Sequence, residues 1–248
     1  MADLNRSAFG QAVLGRAEAA DIDVGLRAYM LRIYNYMASG LLLSGIVAVV
    51  VANTGLQDVF FQTAASGRVG YTGLGFVAML APIGIILAMS FGAARMSATT
   101  LQGLYWGLVG TMGIGFAVLL KVYTGTSVAR VFFITSAAFG ALSLYGYTTK
   151  RSLSGFGTFL FMGLIGMVIA SVVNIFMASS MMSFIISCVG LLVFTGLIAF
   201  DTQRLKNEYF EVQGTELEER SAIMGAVSLY LNFVNLMQIL LSFLGDRK

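Results

Sequence analysis

The stretch SAIMGAVSLYLNFVNLMQILLSFLGDRK, residues 221–248, decides how the rest of the chain is read. It is long and apolar enough to cross a bilayer, yet Ser228, Asn232 and Asn235 fall at i, i+4 and i+7, one face of a helix. Gln238 and Ser242 prolong that stripe with a slight drift. Hydrocarbon does not tolerate such a face, because an unsatisfied polar group there costs several kcal/mol. The helix must therefore face protein or a water-filled cavity. The spacing predicts a central helix inside a bundle made by other spans, with function where they meet it.

The remaining composition supplies those spans. Apolar residues make up 58% of 248, charged residues 11%, and soluble domains carry about a quarter charged. With a mean hydropathy of +0.85, this is an all-α polytopic membrane protein in composition. The net charge of +3 is spread along the chain, which excludes the clustered basic face that nucleic acid requires. Cys188 stands alone in an apolar run, and there is no His, so intrachain disulfides, thiolate metal sites and imidazole chemistry drop out. Charged residues from Asp3 to Arg27 interrupt any signal-peptide core. Residues 1–28 read as a polar N-terminal tail, and 29–248 as one transmembrane domain.

At about twenty residues per span, seven segments qualify: 29–52, 71–94, 101–120, 131–147, 156–179, 181–200 and 221–244. The second holds Pro82, the only proline, expected to kink it. In the third, Gly103, Gly107, Gly110 and Gly113 form a smooth stripe expected to admit a close neighbour, as do Gly163, Gly166 and Ala170 in the fifth. The run DTQRLKNEYFEVQGTELEER is expected to be a charged loop. With a cytoplasmic N-terminus, most Lys and Arg fall inside, Arg68, Lys121 and Arg130 outside. That orientation puts the C-terminus outside, unless the polar last segment is re-entrant.

Asp201, at the end of the sixth segment, is the ionisable residue of most interest. A carboxylate at mid-membrane costs roughly 2.5–3.5 kcal/mol on insertion scales, and far less at the interface. One reading makes it interfacial and paired with Arg204 at i+3. The other gives it a buried partner or a helix that continues past it, since a carboxylate opposes the dipole at a helix C-terminus. Arg95, on the same predicted membrane side, is a candidate partner, or an ordinary positive-inside anchor. Asn174 reads as an interhelical hydrogen-bonding residue. The glutamates from Glu208 to Glu219 lack the ligand alternation of a calcium loop. No nucleophile–base pair, phosphate-cradling loop or metal-ligand set is visible, so neither an enzyme nor a cofactor is expected.

Several stretches resemble the Bax inhibitor-1 (TMBIM) family, especially its bacterial inner-membrane branch. They are GLRAYMLRIYNYMASG (25–40), LKVYTGTSVARVFFITSAAFGALSLYGY (120–147), LYGYTTKRSLSGFGTFLFMGLIGMVIASVVNIF (144–176), AFDTQRLK (199–206) and SLYLNFVNLMQILLSFLGDRK (228–248). The resemblance implies seven helices, the last surrounded by two layers of three. It also implies either a pH-sensitive calcium leak or association with a membrane quality-control protease. In the leak reading two aspartates share a proton at the gate and an arginine contacts the first. Carried onto this chain they are Asp201, Asn232 and Arg95. Ser228 and Asn235 line the same path, and Asp201 is a transient cation contact. The Asn is a departure: two close carboxylates titrate as a coupled pair, whereas Asp and Asn bond without like-charge repulsion. An altered pH dependence follows. The partners so implied are membrane lipids, calcium or another cation, and a membrane protease.

Overall fold

The computed structural model describes the backbone of residues 2–63 and 69–248, and the side chains of residues 24–62 and 70–248. The charged side chains of the tail up to Asp23, and Arg68, lie outside the described residues. The first helix is α1 (Ala2–Asn53), followed by α2 (Leu56–Phe60) and a hairpin of β1 (Phe61–Thr63) and β2 (Val69–Tyr71), with Phe61 opposite Tyr71. Next come α3 (Gly73–Gly92), α4 (Ala98–Val122), α5 (Gly125–Thr148), α6 (Ser154–Met177), α7 (Ser180–Val212) and α8 (Leu217–Leu244). Seven of these helices are long and apolar enough to cross a membrane, the first as Val24–Asn53. The seven expected spans are all there.

Short polar turns start the helices by a common device. Thr72, Ser97, Thr124 and Ser179 each accept a hydrogen bond from the backbone N–H three residues on, which satisfies a donor the helix cannot use. Asn174 closes the α6–α7 turn, its amide donating to Ser183 Oγ at 2.8 Å and its carbonyl accepting from Ser179 N at 3.1 Å. The interhelical role expected of it is the one it has. Pro82 is buried within α3, which runs through it as a single helix.

The last helix is the most covered. In its most apolar window 44% of residues are buried, against 6–33% in the other six spans. It packs against α1, α4, α5 and α7, while α3 lies on α4 and α6 on α7. Tyr230 hydrogen-bonds Ser44 of α1 at 2.7 Å, and Ser44 Oγ lies 2.7 Å from the Val109 carbonyl of α4. One buried hydroxyl thus ties three helices. Gly113 permits this approach, because a Cβ there would stand 2.7 Å from the Ser44 carbonyl oxygen. The rest of the expected glycine stripe does not serve packing: Gly103 and Gly110 face open space and Gly107 only grazes Ile85. In α6, Gly163 meets Val193 of α7 but Gly166 faces outwards. A glycine permits close approach only where a neighbour arrives.

The chain ends where α4 meets α5. Thr124 N donates to the Asp246 carbonyl at 3.0 Å, Lys248 N to the Val122 carbonyl at 3.0 Å, and Arg130 pairs with Asp246 at 2.9 Å. This is the end of the bundle opposite the α7–α8 turn, so α8 runs the length of the bundle as one helix rather than turning back.

Candidate functional site

The largest departure from expectation lies beside Asp201. The run taken as a charged loop is mostly helix: α7 continues twelve residues past Phe200 to Val212, and α8 begins at Leu217. Sequence signs of this were present. Ile198, Thr202, Leu205 and Tyr209, at i, i+4, i+7 and i+11, keep a helical face and are all buried. Asp201 is therefore not at a helix C-terminus. At 1.5 Å per residue it lies roughly 30 Å along α7 from its start, about the thickness of the hydrocarbon core.

Two helices hold its carboxylate. Asn232 Nδ2 of α8 donates to Asp201 Oδ2 at 2.7 Å. Arg204, one turn on, reaches Oδ1 at 3.0 Å. Arg204 also approaches Glu208 Oε2 at 3.5 Å and Ser228 Oγ at 3.4 Å. The other oxygen of Glu208 accepts from Ser221 Oγ at 2.6 Å, and Ser221 in turn meets Tyr29 Oη of α1 at 2.6 Å. A continuous polar chain thus runs from Asn232 through Asp201, Arg204, Glu208 and Ser221 to Tyr29, and joins α7, α8 and α1. At one end Asn232 is only 6% exposed and the Asp201 side chain 13%. Midway along it, Arg204 is 42% exposed and borders a polar cleft of about 420 Å³ shared with Asn207, Glu208 and Glu211, while Ser221 and Tyr29 at the far end are buried again.

Burial makes the Asp201–Asn232 contact the strong member of this chain. A hydrogen bond to a charged group contributes about 1.5–3 kcal/mol, while exposed ion pairs contribute little. The polar stripe of α8 opens again beyond Asn232. Asn235 is half-buried and Gln238 and Ser242 are exposed. The stripe is therefore closed at one level and accessible on both sides of it.

Arg95 is not brought to this site. It is exposed in the turn after α3 and has no ion pair within 4.0 Å among the described residues. The reason is topological, since α3 packs on α4 and not on α7 or α8. The arginine on Asp201 is Arg204, the i+3 neighbour. Sequence reading missed Glu208, Ser221 and Tyr29 as members, because their meeting depends on how α1, α7 and α8 align.

The family described as "Inhibitor of apoptosis-promoting Bax1" matches residues 26–248. Uncharacterized protein RP147 of Rickettsia prowazekii is 46% identical over 227 residues, 91% of this chain and 92% of its own. Inner membrane protein YbhL of Escherichia coli is 39% identical over 227 residues, covering 90% of this chain and 94% of its own. An uncharacterized membrane protein of Streptococcus pyogenes is 31% identical over 223 residues, again across nearly the whole length.

Proposed function

The chain belongs to the Bax inhibitor-1 family, and on that premise we propose that it is a cation leak pathway, with calcium the first ion to test, running along α8. The relative YbhL is an inner membrane protein by name. We assign this chain to the same membrane, with a cytoplasmic N-terminus from the distribution of Lys and Arg. The observation that carries the reading is the Asn232–Asp201 bond of 2.7 Å at the one level where the polar stripe of α8 is closed. In this reading the bond is a latch. Opening requires α7 and α8 to part there, after which Asp201 becomes a carboxylate contact for a passing cation. Ser228 and Asn235 supply oxygens on either side, and Arg204 neutralises Asp201 while the path is shut.

The amide sets the character of the latch. Two carboxylates hold each other only when they share a proton. An amide donates without one, so the closed state here needs no proton and the leak should vary little with pH near neutrality. The mechanism is conduction rather than catalysis. Purified protein in liposomes loaded with a calcium dye tests the reading: flux above that of empty liposomes is expected, and folded protein that gives none sinks it. In that event the second reading, a module that docks on a membrane protease, takes over. It is favoured by α6, which has only 6% of its apolar window buried.

A further inference from the structure

One side of the bundle is left open. Helices α1 and α5 both pack on α8 but barely meet each other. The gap is a lateral groove in two connected parts, of about 500 and 670 Å³, which share Met37 and Phe139. Its rims are apolar and exposed: Leu31, Leu42 and Ile46 on α1, Leu144 on α5. Phe233 of α8 forms part of its floor. In a membrane protein this groove faces acyl chains.

Its ends differ in charge. Arg27 lines the end nearest the α7–α8 turn, together with Tyr34, Ser143 and Tyr147. It makes no ion pair among the described residues. Lys206 reaches the same corner, donating to the Tyr147 carbonyl at 2.9 Å with its ammonium 5.0 Å from the Tyr147 ring. The residues that line the rest of the groove carry no charge. Leu41 stands fourteen residues after Arg27, roughly 20 Å along α1, somewhat more than the ~15 Å half-thickness of the core. The slot continues past Leu41 to Val50, roughly 35 Å from Arg27 along α1, so a cationic mouth above an apolar slot more than one leaflet deep suits a phospholipid in polarity and has room for its full acyl chain.

We infer that the groove between α1 and α5 is a binding site for an anionic phospholipid, its phosphate at Arg27 and Lys206 and an acyl chain along Gly140 and Gly45 to Phe233. Occupancy places a lipid chain on the residue next to Asn232. The site rests on the membrane reading alone and stands or falls independently of ion leak.

Two glycines make it testable. A Cβ at Gly140 or at Gly45 meets nothing within 4 Å, so larger side chains fill the groove without clashing with the protein. Native mass spectrometry of delipidated protein, titrated with phosphatidylglycerol or phosphatidylcholine, reads the binding. The expected result is one phosphatidylglycerol bound at least tenfold more tightly than phosphatidylcholine. Gly140→Leu should weaken it tenfold or more and Arg27→Gln should remove the headgroup preference. Gly166→Leu on α6, where a Cβ also meets open space, should change nothing. Circular dichroism confirms folding, and Gly45→Leu serves if Gly140→Leu does not fold. Equal binding of the two lipids, or Gly140→Leu binding like wild type, overturns the proposal. So does a stoichiometric protein partner that copurifies with wild type and is lost from Gly140→Leu.

Discussion

Replacing Asn232 by Ala removes the donor from Asp201 Oδ2 and leaves a carboxylate that is 13% exposed short of a partner. A hydrogen bond to a charged group is worth about 1.5–3 kcal/mol, and each 1.4 kcal/mol is tenfold in an equilibrium. Arg204 still holds Oδ1 at 3.0 Å, so the lower part of that range applies. The closed-to-open ratio should fall about tenfold and calcium entry into dye-loaded liposomes should rise by the same factor. Asn232→Asp extends the test. It places a second carboxylate on Asp201, and such a pair is held together only while it shares a proton. As pH rises and that proton leaves, repulsion opens the latch, so the variant should leak more at higher pH. Wild type should stay flat between about pH 6 and 8, because an amide donor is not titrated there. Calcium entry with Asn232→Ala within twofold of wild type, with helical content and thermal stability retained, refutes the reasoning. A steep carboxylate-like transition in wild type refutes it as well.

Further outcomes follow from the same contacts. Arg204→Gln should raise the leak severalfold in the liposome assay, whereas Arg95→Gln should leave it unchanged, since only Arg204 touches Asp201. Gly146→Ala should lower stability in detergent by about 1–3 kcal/mol, the usual cost of overpacking. A Cβ there would meet the Ala199 backbone on α7, seen as an earlier thermal unfolding transition. A C-terminal alkaline phosphatase fusion should be active, as that enzyme is only outside the cytoplasm, and an inactive fusion of full length contradicts the assigned orientation.

The fold was legible because hydrocarbon imposes one requirement on every span. Runs of about twenty apolar residues with few charges have little else to be. The polar stripe of α8 pointed to burial for the same reason, and α8 is the most covered helix. Charge misled the reading of residues 201–212. Charged residues ordinarily mark a loop at a membrane edge, but here they line a helix that leaves the core and pairs Asp201, Arg204 and Glu208 at i+3 and i+4 spacing. Small residues misled in a different way. A glycine stripe shows where a helix can be approached, and only the neighbour decides where it is. Gly113 receives α1, while Gly103 and Gly110 receive nothing. The same limit hid the Tyr29–Ser221–Glu208 relay and the groove between α1 and α5. Both depend on which helices meet, a property of the assembled bundle rather than of any one segment.

The coupling between Asp201 and Asn232 is the centre of the account, and a double-mutant cycle on the leak rate tests it most directly. Asp201→Ala and Asn232→Ala should each raise calcium flux, and the double variant should leak no faster than Asp201→Ala, because that variant has already lost the bond Asn232 makes. Effects that multiply in the double variant, or single variants that leak no more than wild type, contradict a latch at this contact.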